Sequence, residues 1–128
     1  MTGKPRILAV DDEERFLSTM AKLLGMRGMD VTTAPGGEEA LASFKPGAFD
    51  VAVVDIRMPG MDGVDLLKEL KSRDPAIEVI ALTGHASVDV AAEIMSRGGS
   101  DYLLKPCPTD ELEKKILAAM ARRESRAG

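Results

Sequence analysis

Charged and polar side chains recur directly after short apolar runs of the chain. They are Asp11, Asp12, Asp55, Thr83 and Lys105. If the apolar runs are parallel strands of one sheet, their carboxyl ends meet at one edge, where such folds bind ligands. Three carboxylates, a hydroxyl and an ammonium would then share one small crevice.

Mutual repulsion of the carboxylates limits what such a crevice can do. Two like charges about 4 Å apart repel by about 4 kcal/mol at an effective dielectric constant of about 20. Lys105 alone cannot balance three negative charges, so the crevice needs raised carboxyl pKa values or a hard cation. Mg²⁺ fits because it takes carboxylate oxygens and keeps positions for water and phosphate. A carboxylate held there can attack a phosphoryl group and form an acyl phosphate.

The apolar runs that position these side chains are continuous rather than alternating. Continuous runs are typical of strands buried on both faces of a parallel sheet. They are Ile7–Val10, Met29–Thr33, Val51–Val54, Ile77–Leu82 and Tyr102–Leu104. Segments with apolar residues at helical spacing separate the runs, with end signals at Gly28, Asp74 and Gly98 and N-caps at Asp62 and Thr109. The pattern predicts an α/β fold, a doubly wound (βα)5 arrangement with helices on both faces of the sheet.

Length and composition bound the protein class. The 128 residues predict one domain over residues 6–121, with residues 1–5 and 122–128 as terminal tails. A net charge of −4 argues against direct nucleic acid binding, and no apolar run has membrane-spanning length. Cys107, the only cysteine, cannot form an internal disulfide or a zinc site. With no signal-like segment at the start, we expect a cytoplasmic location.

Four segments of the chain together resemble the receiver domain of two-component response regulators, the family of the chemotaxis receiver. The segments are Ile7–Glu13, Val53–Gly63, Leu82–Gly84 and Asp101–Pro106. Each fragment is weak evidence alone, but all four occur in order and each ends an apolar run. The resemblance covers residues 6–121 and implies the flavodoxin-like strand order 2-1-3-4-5.

The resemblance implies a role for each residue of the crevice. Asp55 is expected to accept a phosphoryl group from a histidine kinase or phosphotransfer protein. Asp12 and Asp55 are expected to ligate Mg²⁺ directly with the backbone carbonyl of Arg57, and Asp11 to act mainly through water. Lys105 is expected to contact the phosphoryl oxygens.

Further residues are implied to read the phosphorylated state. Thr83 is expected to donate its hydroxyl to the phosphoryl group, and Tyr102 to turn inward as its partner switch residue. Arg57 and His85 would flank the attacking water and tune the lifetime of the acyl phosphate, in a direction the sequence leaves open. The peptide bond before Pro106 is expected to be cis.

The resemblance implies a signalling switch rather than an enzyme, with a downstream effector protein or output domain. Phosphorylation could also form a dimer through helix 4, strand 5 and helix 5. Three alternatives remain. A haloacid-dehalogenase-like aspartyl phosphatase would need a second Asp where Arg57 stands, and a flavin carrier would need a phosphate-binding loop where Asp11 and Asp12 stand. A pseudo-receiver scaffold would keep the fold and never take phosphate.

Overall fold

The computed structural model describes residues 4–84 and 88–127, and its centre is a parallel sheet. Five strands lie in the order β2-β1-β3-β4-β5, all parallel. The strands are β1 (Arg6–Val10), β2 (Asp30–Ala34), β3 (Val51–Asp55), β4 (Glu78–Thr83) and β5 (Asp101–Leu104), and the helices of the described residues are α1 (Glu14–Met26), α2 (Gly37–Ser43), α3 (Gly63–Arg73), α4 (Val88–Ser96) and α5 (Thr109–Ala127). The predicted (βα)5 fold and strand order are confirmed.

Two hydrophobic cores lie on opposite faces of the sheet. Side chains of β3 alternate between them: Val51 and Val53 belong to the core with α1 and α5, whereas Ala52 and Val54 belong to the core with α2, α3 and α4. All four are fully buried. This alternation explains why the strand is apolar at every position, since neither face of β3 meets solvent.

The helix ends follow the predicted signals in most places. Asp62 caps α3 by accepting a hydrogen bond from Asp65 N at 2.9 Å. Gly28 follows α1 with a φ of 86°, a conformation that glycine adopts without steric cost. Thr109 is the first residue of α5 rather than its N-cap.

Gly63 allows α3 to begin directly against the end of β3. Its N–H donates to Ile56 O at 2.9 Å. A Cβ at this position would lie 2.3 Å from Asp55 O and 2.6 Å from Ile56 Cα, which no real side chain tolerates. A glycine is therefore needed where the helix meets the strand that carries Asp55.

The structure corrects several predicted boundaries. α5 continues to Ala127, so residues 122–127 are helical and not a tail. β4 begins at Glu78, a buried carboxylate inside the run that we expected to be apolar. β2 is shifted by one residue, to Asp30–Ala34. Among the described residues, no helix has both the length and the apolarity to cross a membrane.

Candidate functional site

The carboxyl ends of β1 and β3 bring three aspartates together. Asp11 and Asp12 follow β1 directly, and Asp55 is the last residue of its neighbour β3. One carboxylate oxygen of each lies within 4.8 Å of the others. Asp11 and Asp55 are buried, whereas Asp12 is exposed at the mouth of the crevice. The sequence prediction that these residues converge is met by this geometry.

Lys105 reaches the same crevice from the end of β5. Its Nζ donates to Asp11 Oδ2 at 3.0 Å and to the carboxylate of Glu13, and lies 3.7 Å from Asp55 Oδ2. The ammonium also lies over the Phe16 ring, 4.6 Å from its centroid. Burial alone would lower the pKa of Lys105, but its hydrogen bonds with Glu13 and Asp11 raise it above the ordinary value. The amine is therefore a fixed positive charge.

The surroundings of Asp55 leave it short of positive charge. Burial, first, and repulsion from Asp11 raise the pKa of Asp55 to about 6. Attraction to Lys105 and a hydrogen bond from Arg57 N to Asp55 Oδ1, at 3.2 Å, offset only part of this rise. An ionised Asp55 is thus costly in the protein alone, and a bound cation relieves that cost.

The donor set fits a hard divalent cation. Both oxygens of Asp11 already have partners, because Oδ1 accepts from Glu13 N at 2.9 Å and Oδ2 accepts from Lys105. Asp12 is exposed, and Asp55 Oδ1 accepts from Arg57 N at 3.2 Å while its Oδ2 lies 3.7 Å from Lys105 Nζ, so the carboxylates of Asp12 and Asp55 are less engaged than that of Asp11. Oxygen donors of this kind, few in number and open to water on one side, suit Mg²⁺.

Thr83 ends β4, the neighbour of β3, and is buried at 2% exposure. In the register of the sheet Asp55 pairs with Leu82, so Thr83 lies one residue beyond the level of Asp55. Lys105 N donates to Thr83 O at 2.8 Å, which ties the end of β5 to β4. Thr83 and Lys105 therefore lie at the carboxyl ends of adjacent strands, on the same edge of the sheet.

The remaining predicted site residues lie around this edge. Tyr102 on β5 is 38% exposed, and Arg57 is exposed after β3. The Lys105–Pro106 peptide bond is cis, the geometry implied by the resemblance. His85 lies outside the described residues.

Two residues of the site carried no assigned role in the sequence analysis. Glu13 pairs with Lys105, and the ring of Phe16, the third residue of α1, lies beneath the Lys105 ammonium. Glu13 follows the two aspartates in the sequence, so a third acidic side chain near the crevice could be predicted. Its ion pair with Lys105 could not be predicted, because only the folded sheet brings the two residues together.

A strand-end acidic crevice on a (βα)5 sheet defines a class, and comparison with known proteins identifies it. The family model of the response regulator receiver domain matches residues 7–117. The chain belongs to this family. Its structure is similar to that of a response regulator receiver domain protein from Clostridium thermocellum, with a TM-score of 0.88 and 36% identity over 94% of this chain and 97% of that one. A CheY-like receiver domain protein from Methanospirillum hungatei gives a TM-score of 0.91 at 30% identity, covering 97% and 99%.

Curated relatives at similar identity are longer proteins. The chain is 39% identical over 119 residues to the transcriptional regulatory protein ZraR of Salmonella typhimurium, covering 93% of this chain and 27% of that protein. It is 37% identical over 123 residues to the transcriptional regulatory protein PrrA of Mycobacterium tuberculosis, covering 96% and 53%. The chain thus spans about a quarter to a half of the length of these relatives.

Proposed function

We propose that this receiver domain of a two-component response regulator accepts a phosphoryl group on Asp55, with Mg²⁺ bound at Asp12, Asp55 and the backbone carbonyl of Arg57. The proposal depends on the buried carboxylate of Asp55, which lies beside Lys105 and two further aspartates and has too little positive charge around it. Such a carboxylate can act as a nucleophile. Its site favours one more cation, and a phosphoryl group can then lie between that cation and the Lys105 ammonium.

The proposed transfer reaction uses the residues of the crevice. An Asp55 oxygen attacks the phosphorus of a phosphohistidine, the new O–P bond forms, and the P–N bond breaks with its electron pair returning to the imidazole. Lys105 neutralises charge on the phosphoryl oxygens, and Mg²⁺ supplies further charge neutralisation. Thr83 donates its hydroxyl to the phosphoryl group. The donor is a histidine kinase or a phosphotransfer protein.

The readout of phosphorylation is proposed to lie on α4, β5 and α5. Thr83 is drawn toward the phosphoryl group and Tyr102 turns inward, which changes an apolar surface formed by exposed side chains of these elements. They are Val88, Met95, Tyr102, Leu104 and Leu117. This is a two-state equilibrium biased by a local charge event. A phosphorylation-dependent dimer or an effector protein would cover this surface.

The setting of the switch is also proposed. The longer relatives named as transcriptional regulatory proteins support an output module that receives the signal, and direct nucleic acid contact by this domain is not part of the proposal. We place the protein in the cytoplasm, without a membrane role. Arg57 and His85 are proposed to tune the lifetime of the acyl phosphate.

Phosphorylation by a small acyl-phosphate donor tests the proposal. With acetyl phosphate and Mg²⁺, the wild-type chain should gain one phosphoryl group, measured by intact mass at neutral pH. Asp55→Asn should gain none, while Asp65→Asn, an exposed aspartate outside the crevice, should behave as wild type. Removal of Mg²⁺ with EDTA should abolish the reaction, and sedimentation of the phosphorylated sample tests the dimer.

The alternatives predict other outcomes. A pseudo-receiver scaffold would leave the wild-type chain unmodified. A phosphatase of the haloacid-dehalogenase type would instead turn over phosphate esters many times per chain. Stoichiometric phosphate on Asp55→Asn would show that the acceptor is a different residue.

A further inference from the structure

Lys105 is held at the crevice by two carboxylates, and neither of them is the proposed phosphoacceptor. An ammonium has three N–H donors. One donates to Asp11 Oδ2 at 3.0 Å and one to Glu13 Oε1. Asp55 Oδ2, at 3.7 Å, lies beyond hydrogen-bond distance. The lysine that should meet a phosphoryl group on Asp55 therefore has two of its three donors engaged with other carboxylates.

The two partners of Lys105 differ in how firmly they are held. The Asp11 side chain is fully buried, and its second oxygen accepts from Glu13 N at 2.9 Å. The Glu13 side chain is 63% exposed. Its backbone is anchored by Asp11, whereas its carboxylate can leave Lys105 for water at little cost. Glu13 is therefore the partner that an incoming phosphoryl oxygen can replace.

We propose that Glu13 is a positioning residue that holds the Lys105 ammonium toward the solvent side of the crevice until a phosphoryl oxygen on Asp55 takes its place. The inference rests on the proposed function of Asp55 as acceptor and adds a control of its rate. In this proposal a phosphoryl oxygen on Asp55 draws the ammonium inward, and the Glu13–Lys105 ion pair opens as the Lys105–phosphoryl contact forms. Glu13 thereby slows phosphorylation while keeping the lysine within reach.

The exposure of Glu13 sets the size of this effect. Ion pairs with an exposed partner are weakened by solvent, and their loss changes an equilibrium by about two- to fivefold. We therefore expect Glu13→Gln to be phosphorylated about two- to fivefold faster than wild type, because Lys105 no longer has to leave a carboxylate. The effect should fall on the rate constant at saturating donor as well as on donor binding.

Glu14→Gln is the matched control. Glu14 is the next residue along the chain, is exposed, and among the described residues forms no ion pair with Lys105. Both substitutions remove one negative charge from the same end of the molecule. A rate gain in Glu13→Gln that exceeds that of Glu14→Gln supports the inference, and equal or lower rates would overturn it.

Two donors separate positioning from simple repulsion. Initial rates are measured on the full chain with Mg²⁺ over a range of acetyl phosphate or phosphoramidate concentrations, by phosphate-affinity electrophoresis. The protonated nitrogen of phosphoramidate gives it less net negative charge at neutral pH. A similar gain with both donors indicates action through Lys105. A gain confined to acetyl phosphate means that Glu13 only repels anions, and the positioning role is then wrong.

The rates also separate a failure of the Asp55 acceptor role from a failure of the Glu13 positioning role. If the wild-type chain and both variants take no phosphate from either donor, the proposed function itself is wrong. If all three are phosphorylated at equal rates, Asp55 remains the acceptor and only the role of Glu13 is lost.

Discussion

Buried aspartates lie at both ends of β3, and their surroundings differ in charge. Asp50, just before the strand, accepts hydrogen bonds from Arg6 N at 2.9 Å and from the Arg6 guanidinium at 2.9 and 3.2 Å, and Arg123 Nη1 lies 3.1 Å away. Asp55, at the other end, has one nearby cation within the described part of the chain, Lys105 at 3.7 Å, and Lys105 is shared with two further carboxylates. One end of the strand is neutralised, and the other is left acidic.

The two environments move the carboxyl pKa values in opposite directions. Burial raises the pKa of Asp50, but the hydrogen bonds from Arg6 outweigh it and lower the pKa below the ordinary value. At Asp55 burial and Asp11 together prevail and raise the pKa to about 6. The same residue type on the same strand thus stabilises the fold at one end. At the other end it stores unfavourable charge that a bound cation can relieve.

Asp50→Asn should produce the largest loss of stability. The substitution leaves two partly exposed arginines facing a buried amide, and losing several hydrogen bonds to a charged acceptor costs about 3 kcal/mol. We expect the free energy of unfolding, measured by urea denaturation near neutral pH, to fall by this amount. Because the folded-state pKa of Asp50 is lowered, its contribution is present above the unfolded pKa of about 4 and is lost as the pH falls below it.

Glu124→Gln gives the reference for removing a carboxylate without a buried partner. Glu124 is exposed on α5 and should change stability by less than about 0.5 kcal/mol. An equal effect of the two substitutions would mean that the arginine cluster contributes nothing to the fold.

Asp55→Asn should act in the opposite direction, with an effect of about the same size. A folded-state pKa of about 6 means that the folded protein binds more protons than the unfolded chain between about pH 4 and 6. Stability is therefore lost as the pH rises through this window, and the ionised site costs about 3 kcal/mol above it. Without divalent cations near pH 7.5, we expect Asp55→Asn to be more stable than wild type by about this amount.

The pH dependence of this difference is its own control. The advantage of Asp55→Asn should shrink toward zero as the pH falls below about 4, where the wild-type carboxyl becomes protonated in the unfolded chain as well as in the folded protein. Addition of Mg²⁺ should raise the stability of the wild-type chain and leave the variant nearly unchanged. A variant that is less stable than wild type at neutral pH would contradict the charge imbalance at this end of β3.

The sequence predicts the acidic end of the sheet better than the neutralised end. Asp11, Asp12 and Asp55 follow apolar runs, so the topology of a parallel sheet suffices to bring them together. Asp50 and Glu78 precede their strands or begin them, and their cationic partners come from distant segments. The spacing of apolar residues does not predict such ion pairs. An arginine that is free in solvent and an arginine that pairs with a buried carboxylate occur in the same sequence pattern.

Helix α5 carries cationic partners of Asp50 and Glu78, and its end was also not predicted from the sequence. Its apolar spacing predicts a helix that packs on the sheet, and this is correct for Leu112, Ile116 and Met120. The residues that follow were predicted to be a terminal tail. In the structure two arginines of this segment lie at the neutralised end of the sheet, Arg122 at Glu78 and Arg123 at Asp50. These contacts explain why the helix continues through residues assigned to a tail.

Arg122→Gln tests the outermost part of this cluster and should have the smallest effect. Arg122 Nε lies 3.4 Å from Glu78 Oε1, which also accepts from Ser100 Oγ at 2.7 Å, so Glu78 keeps a partner when the arginine is lost. We expect a loss of about 0.5 to 1 kcal/mol, together with faster amide hydrogen exchange in the last turns of α5. Lys114→Gln, an exposed site on the same helix, should change neither quantity. If amide exchange in the last turns were unchanged by Arg122→Gln, the Arg122–Glu78 contact would not stabilise the end of α5. The contact of Arg123 with Asp50 would then have to hold this part of the helix on the sheet.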